Sequence, residues 1–255
     1  MAVPRCLTIA TSDSGGGAGI QADLKAFAAA GCHGSSVLAA LTAQNTVVVR
    51  AIHELPPEFV VAQLEAVFDD IGVDAAKTGM LFSRTLIETV ADFLEGRRVP
   101  LVVDPVLIAS SGASLLEDDA VEVLVSRLFP LATVVTPNLN EAQALAGLRT
   151  EDRRVLAERL HDLGAPAVVV TGGHGERAVD HLFDGQTHEE IPVERHDVRA
   201  THGAGCTHSA TLAALLARGE TLANAARGAS VAAARAVRNG FVEIGRGEGP
   251  VNVLA

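Results

Sequence analysis

Short apolar runs alternate with stretches of helical period along nearly the whole 255-residue chain, and that alternation leaves few architectures open. Residues 6–10 read as a buried strand, the glycine loop 15–19 follows, and a helix over about 20–30 stops at Gly31. Strand-like runs at 74–78, 99–103, 132–136 and 167–171 then alternate with helix-like stretches at 83–94, 118–128, 140–146 and 152–163. Such a succession predicts an α/β fold: a central, mostly parallel sheet flanked by helices on both faces. Two places break the rhythm. Residues 35–42 and 46–53 are separated only by Ala43-Gln44-Asn45, too few for a crossover, and predict an antiparallel β flap over 35–53. Residues 178–193 read as a β-meander turning at 184–186. Pro56-Pro57 opens a helix whose Phe59, Val60, Leu64, Val67 and Phe68 fall on one face, and helices over 206–218 and 222–238 close the chain. No linker or fixed-period repeat interrupts it, so one domain over 1–255 is expected. In such sheets ligands lie at the carboxyl ends of the strands.

Charge narrows the partners. The formal net charge is −11, with no basic stripe, which excludes nucleic acid and anionic membranes as natural partners. No apolar run reaches the roughly 18–20 residues a membrane helix needs. The opening Met1-Ala2-Val3-Pro4-Arg5 lacks a signal-peptide pattern, so a cytoplasmic location is expected. Lysine occurs only at Lys25 and Lys77, so a phosphate substrate would be met by backbone dipoles, a metal or a few arginines. The three cysteines are odd in number and widely spaced, which implies no disulfide framework, and Cys6 and Cys32 read as small buried hydrophobes.

The stretch Thr201-His202-Gly203-Ala204-Gly205-Cys206-Thr207-His208 carries the strongest chemical signal. Its glycines allow a tight turn, and the helix that follows adds unpaired N–H groups and a positive dipole end, an anion pocket with a thiol at its lip. Thiol pKa values fall toward neutrality at helix N-termini, so Cys206 reads as a general base, with a buried helix-start residue as the competing reading. A zinc site of His202, Cys206 and His208 is a third reading, at a spacing that matches no usual finger. Asp104 and Glu141 follow strands, where carboxylates anchor magnesium and its waters; Glu141 reads equally as a helix N-terminal charge. There is no G-x-x-x-x-G-K-[ST] motif, and Gly15–Gly19 is by itself weak evidence for a nucleotide.

The string TSDSGGGAGIQADLK at 11–25 resembles the N-terminal signature of hydroxymethylpyrimidine/phosphomethylpyrimidine kinases of thiamine biosynthesis, members of the ribokinase-like superfamily. TAQNT at 42–46, KTGM at 77–80, VDPV at 103–106, TPN at 136–138, GGH at 172–174, 201–207 and GEGPV at 247–251 are similar to further blocks of that family, in order. The resemblance implies a ribokinase-like fold and two successive ATP-dependent phosphorylations of 4-amino-5-hydroxymethyl-2-methylpyrimidine. It implies pyrimidine binding at Asp23, Gln44, Gly17 and Met80, and ATP binding at Thr171, Thr201, Gly203 and Gly205. It places the catalytic base at Cys206, the anion hole at Gly203, Ala204 and Gly205, and magnesium at Asp104 and Glu141. A monovalent cation and a homodimer are further implications. Ala109-Ser110-Ser111-Gly112 and Thr171 stand where the family usually has lysines, so two phosphate-binding cations are missing, with Arg177 a candidate replacement. Thr171 resembles the hydroxyl that pyridoxal kinases place there, which keeps that activity as the alternative. A pyrimidine sensor without turnover is the rival from another class.

Overall fold

The computed structural model describes residues 2–107, 119–173 and 177–255. The stretch 109–112, including Ser110, the start of the helix expected from 118, and His174 lie outside the described residues. Among the described residues nine strands form one sheet in the order β3-β2-β1-β4-β5-β6-β7-β8-β9. They are β1 (Arg5–Asp13), β2 (His33–Gln44), β3 (Val49–Glu54), β4 (Ala75–Thr78), β5 (Leu101–Val103), β6 (Val134–Val135), β7 (Val168–Val170), β8 (Val179–Phe183) and β9 (His188–Pro192). The pairs from β2 through β1 to β7 are parallel; β3, β8 and β9 are added antiparallel. β5 and β7 are runs of buried Leu and Val, the composition of strands covered on both faces.

Helices cover both sides. One face packs the apolar residues of α2 (Pro57–Ala66), α3 (Arg84–Leu94), α4 (Ala120–Val123), α5 (Leu139–Ala146) and α6 (Arg153–Asp162). The other packs α1 (Gly19–Ala29), α7 (Ala204–Ala217) and α8 (Leu222–Arg238). α7 buries residues all round, including Ala210, Leu212, Ala213 and Ala214, because the sheet, α1 and α8 enclose it. That enclosure fixes the position of its first turn. Ends are set by local chemistry: Ser83 caps α3, Asn138 and Glu141 form a capping box on α5, and Gly147, with φ 66°, stops that helix in the left-handed region. No helix among the described residues is long and apolar enough to cross a membrane.

Three expectations need correction. The stretch 35–53 is a hairpin in its antiparallel pairing, but β2 is also a full member of the main sheet, paired with β1 from His33 to Thr42. The helix α1 supplies that crossover, so only the outer end of β2 and β3 project as a flap. Phe59 is 55% exposed; the buried face of α2 uses Val60 and Leu64 and continues to Val67 in a π-type turn, Val67–Ile71. The helix expected over 118–128 is α4 followed by a second π-type turn, Leu124–Leu128.

Candidate active site

Chain order turns back at β1, whose neighbours β2 and β4 lie on opposite sides, and the carboxyl ends of the strands there open into a cavity of about 560 Å³. One half is lined by Thr11, Gln44, Lys77 and Met80; the other by Thr171, Gly172, Arg195, Ala233, Ala234 and Val237. Gly203, Ala204, Gly205 and Cys206 stand between the halves, with Asp104 and Glu141 in the same wall.

The glycine loop serves the protein before any ligand. Asp13, the last residue of β1, accepts the N–H groups of Gly15 (2.7 Å), Gly17 (3.1 Å) and Ala18 (2.9 Å), and its Oδ2 lies 3.0 Å from His202 Nε2. Burial would raise this carboxyl, but His202 and the backbone donors outweigh it and hold it below the usual range. The loop is thereby tied to the turn before α7. Contact is so close that a Cβ on Gly203 would sit 1.8 Å from the Gly17 carbonyl oxygen, and Gly203 adopts φ 88°. Gly17 is thus packed against His202 and does not line the cavity, a correction to its expected contact with the pyrimidine.

Asp23 is likewise relocated. It is fully enclosed, accepts the Thr8 hydroxyl at 2.6 Å, and pairs with Lys77 Nζ at 2.8 and 3.0 Å. It reaches the cavity only through Lys77, whose Nζ also lies 3.5 Å from Asp104 Oδ2. Burial alone would favour the neutral amine, but Asp23, Cys206 and Asp104 together hold Lys77 protonated, above the ordinary lysine range. Lys77 and Asp13 line the cavity and tie its wall together, a placement that reasoning from sequence missed. Both lie within quoted motifs, yet only the fold shows what they touch.

Gln44 and Met80 do line the cavity, as expected. Gln44 Oε1 accepts the Thr42 hydroxyl at 3.1 Å, and the Thr11 hydroxyl donates to the Met80 carbonyl at 2.9 Å, fixing both segments. Thr171 and Thr201 line the other half; the Thr201 hydroxyl donates to Glu248 at 3.0 Å.

Cys206 sits in the first turn of α7, half-buried at the cavity wall, but its thiol is not acidified. Burial pushes it up to about 12; Lys77 and the Gly19 N–H oppose this, while Asp23 and Asp104 reinforce it. A helix N-terminus is outweighed here by desolvation and two carboxylates. In the anion cradle the Ala204 N–H is spent on the Thr201 carbonyl (3.1 Å), leaving the donors of Gly205 and Cys206 as the cradle's working part.

Of the two readings of Glu141, the structure shows the helix N-terminal one. Glu141 closes the capping box with Asn138 (2.9 and 3.0 Å), and burial together with Asp104 pushes it up to about 8. Asp104 and Glu141 line one wall, and two carboxyl groups so placed are the donor chemistry of a hard cation, which needs only one or two carboxylates beside phosphate and water. The zinc reading is not supported: His202 turns to Asp13 and His208 to Asp180 (3.3 Å), and no cluster of three metal-ligating side chains exists among the described residues. Arg177 does not replace a missing lysine, since it is held by Glu190 at 2.9 and 2.6 Å outside this cavity. Among the described residues Arg195 is the arginine that lines it.

A parallel sheet turning back at its first strand, with a helix N-terminus beside paired carboxylates, defines an α/β phosphotransferase of ribokinase-like fold. The family model for phosphomethylpyrimidine kinase matches residues 13–252, and the chain belongs to that family. It is 48% identical to a hydroxymethylpyrimidine/phosphomethylpyrimidine kinase of Rhizobium meliloti, across 96% of this chain and 95% of that protein. It is 50% identical to the thiamine biosynthesis bifunctional protein ThiED of Geobacter sulfurreducens across 96% of this chain, spanning 51% of that longer protein. Among solved structures it is similar to an ADP complex of Bacillus subtilis pyridoxal kinase, with a TM-score of 0.90 and 38% identity over 98% of this chain and 97% of the other.

The Glu141 shift has a measurable sign. A free glutamate titrates near 4.5, so from there to about 8 the folded chain keeps a proton that the unfolded chain has lost. Stability therefore falls as pH rises through that window, and the cost stays constant above it. In chelator, the melting temperature of Glu141→Gln should decline less than that of the parent across the window. Parallel declines would show that Glu141 is not the group responsible.

Proposed function

We propose that this chain transfers the γ-phosphoryl group of ATP to the hydroxymethyl oxygen of 4-amino-5-hydroxymethyl-2-methylpyrimidine, and then a second phosphoryl group to the resulting monophosphate, releasing ADP each time. What carries the reading is kinship along nearly the full length of dedicated kinases, joined to a cavity whose two halves meet at a helix N-terminus. Pyrimidine is assigned to the half lined by Gln44 and Met80, where an amide can meet both a ring acceptor and an exocyclic amine. ATP is assigned to the half lined by Thr171, Thr201 and Arg195, with its γ-phosphate at the N–H groups of Gly205 and Cys206.

Cys206, once its own proton has passed to solvent, takes the proton of the attacking hydroxyl as a thiolate, and Lys77 stands behind it as the cation that favours that form. Asp104 and Glu141 would hold magnesium, whose charge offsets both the phosphates and the carboxylates that now keep the thiol protonated. Phosphoryl transfer needs little else from the protein than placement and charge. The outer part of β2 and β3 excludes water above the pyrimidine. We place the enzyme in the cytoplasm, in keeping with its three free thiols. The homodimer is assigned to the face where Val47, Val48, Val242 and Ile244 are exposed beside the open edge of β3.

Thr171 favours pyridoxal as the competing acceptor. Incubating the chain with magnesium and ATP plus either acceptor, and weighing the products, separates the readings. Mono- and bisphosphorylated pyrimidine are expected; pyridoxal phosphate alone would transfer the assignment, and binding without ADP release would make the chain a sensor. Cys206→Ala should lower kcat by ~10²–10⁴-fold with nucleotide affinity retained, and near-parental turnover would remove the thiol from the mechanism. Val242→Asp should shift sedimentation from dimer to monomer; an unchanged profile would clear that face.

A further inference from the structure

One buried carboxylate of the cavity has no task in the chemistry above. Asp180, in β8, is 3% exposed and lines the nucleotide half beside Thr171, Gly172, His208 and Ser230. Its Oδ1 accepts the Gly172 N–H at 2.5 Å; its Oδ2 accepts the Ser230 hydroxyl and lies 3.3 Å from His208 Nε2. The three partners belong to three different pieces of wall. Gly172 is in the turn after β7, His208 is in α7 one turn past the cradle, and Ser230 is in α8 one turn before Ala233 and Ala234.

A carboxylate beneath a polyphosphate site is awkward, since an uncompensated negative charge there would repel the ligand. The partners resolve this. Burial would raise Asp180, but His208, Ser230 and Gly172 outweigh it and hold the carboxyl below its usual range. The joint is also tightly built. A Cβ on Gly172 would lie 2.3 Å from the Val179 carbonyl oxygen, so the turn is pressed flat against β8. Neither ring nitrogen of His208 makes a hydrogen bond of good geometry among the described residues, and the approach of Nε2 to Asp180 at 3.3 Å is the polar contact that faces the ring.

We infer that Asp180 is a positioning residue for the nucleotide: through Gly172, His208 and Ser230 it holds the Thr171 turn and α8 in register with the anion cradle of α7. This rests on the assignment of ATP to that half of the cavity. Asp180 does not touch the phosphates; it sets the spacing of the groups that do. A purely structural carboxylate would behave differently on removal, because the pyrimidine half hangs on β2 and β4 and would suffer equally only if the fold as a whole loosened.

Binding of ADP and of hydroxymethylpyrimidine, each measured alone by calorimetry, separates the two. Asp180→Ala strands two buried donors, the Gly172 N–H and the Ser230 hydroxyl, and removes the carboxylate beside His208; its ADP dissociation constant should rise about tenfold or more, while Ser230→Ala should raise it about two- to fivefold. The pyrimidine constant should stay within about twofold in both, and KM should rise for ATP but not for the pyrimidine. Should Asp180→Ala fail to fold, Asp180→Asn keeps an acceptor for Gly172 and loses the charge, and the same selective loss is expected. Unchanged ADP binding, or equal weakening of both ligands, overturns the inference. A parent chain that binds no ADP sinks the nucleotide assignment itself, and this inference with it; a parent that binds while the variants match it sinks the inference alone.

Discussion

A single ammonium group, Lys77 Nζ, joins the three pieces of chain that meet beneath the candidate site. It leaves the end of β4, pairs with Asp23 of α1, and lies within reach of Asp104 after β5, with no exposed surface of its own. Burying such charges is costly, and removing one partner of a buried pair costs about 3–5 kcal/mol because the other is left uncompensated. The arrangement is therefore all or nothing. Either α1, β4 and β5 dock in this register or two carboxylates face each other in a dry interior. The register also brings Cys206 to the same cation, so the interaction that orders the sheet's centre governs the thiol as well.

A second joint does for loops what Lys77 does for strands. Asp13 gathers the glycine loop around its carboxylate and then reaches His202, 189 positions away in the chain. This explains why a glycine-rich opening and a glycine-rich closing motif belong together: Gly17 and Gly203 are needed because the two backbones touch. The glycine loop's N–H groups are consumed internally, and the anion-binding donors come from α7. The cavity is thus made of parts already fixed before a ligand arrives, which keeps the reorganisation on binding small.

Much of this was legible from periodicity. Runs such as 168–170 and 101–103, flanked by amphipathic helical stretches, leave little besides a parallel sheet, and the polar residues after them, Asp104, Glu141 and Thr171, had to share one rim. Local patterns do not say what lies opposite, however. β2 looked like half of a hairpin because its turn is local and its pairing with β1 is not. Asp23 and Gly17, placed against the pyrimidine by resemblance, are turned inward to Lys77 and His202. The thiol of Cys206 was expected to be acidified by its helix, an inference sound for an exposed cysteine. It fails here because burial and two carboxylates act on the same sulfur, and neither is visible in the order of residues. Phe59 fits the helical stripe of α2 and is nonetheless exposed, because the stripe is wider than the face the sheet covers.

Charge accounting connects these points to catalysis. The lysines usual at 110 and 171 are absent, Arg177 is engaged by Glu190, and Lys77 is neutralised by Asp23. Against the phosphates the described part of the cavity offers the first turn of α7, with Arg195, itself engaged within the protein, in the lining; on the other side stand Asp104, Glu141 and Asp180. Asp180 is quieted by its neighbours and Asp104 accepts the Ser209 hydroxyl at 2.7 Å, but burial, reinforced by Asp104, leaves Glu141 holding a proton to about 8. For the nucleotide proposed here, a cation brought with the phosphates would offset that negative charge. The magnesium proposed at Asp104 and Glu141 would supply that charge. Held there, it would also offset the two carboxylates that keep the thiol beside Lys77 protonated.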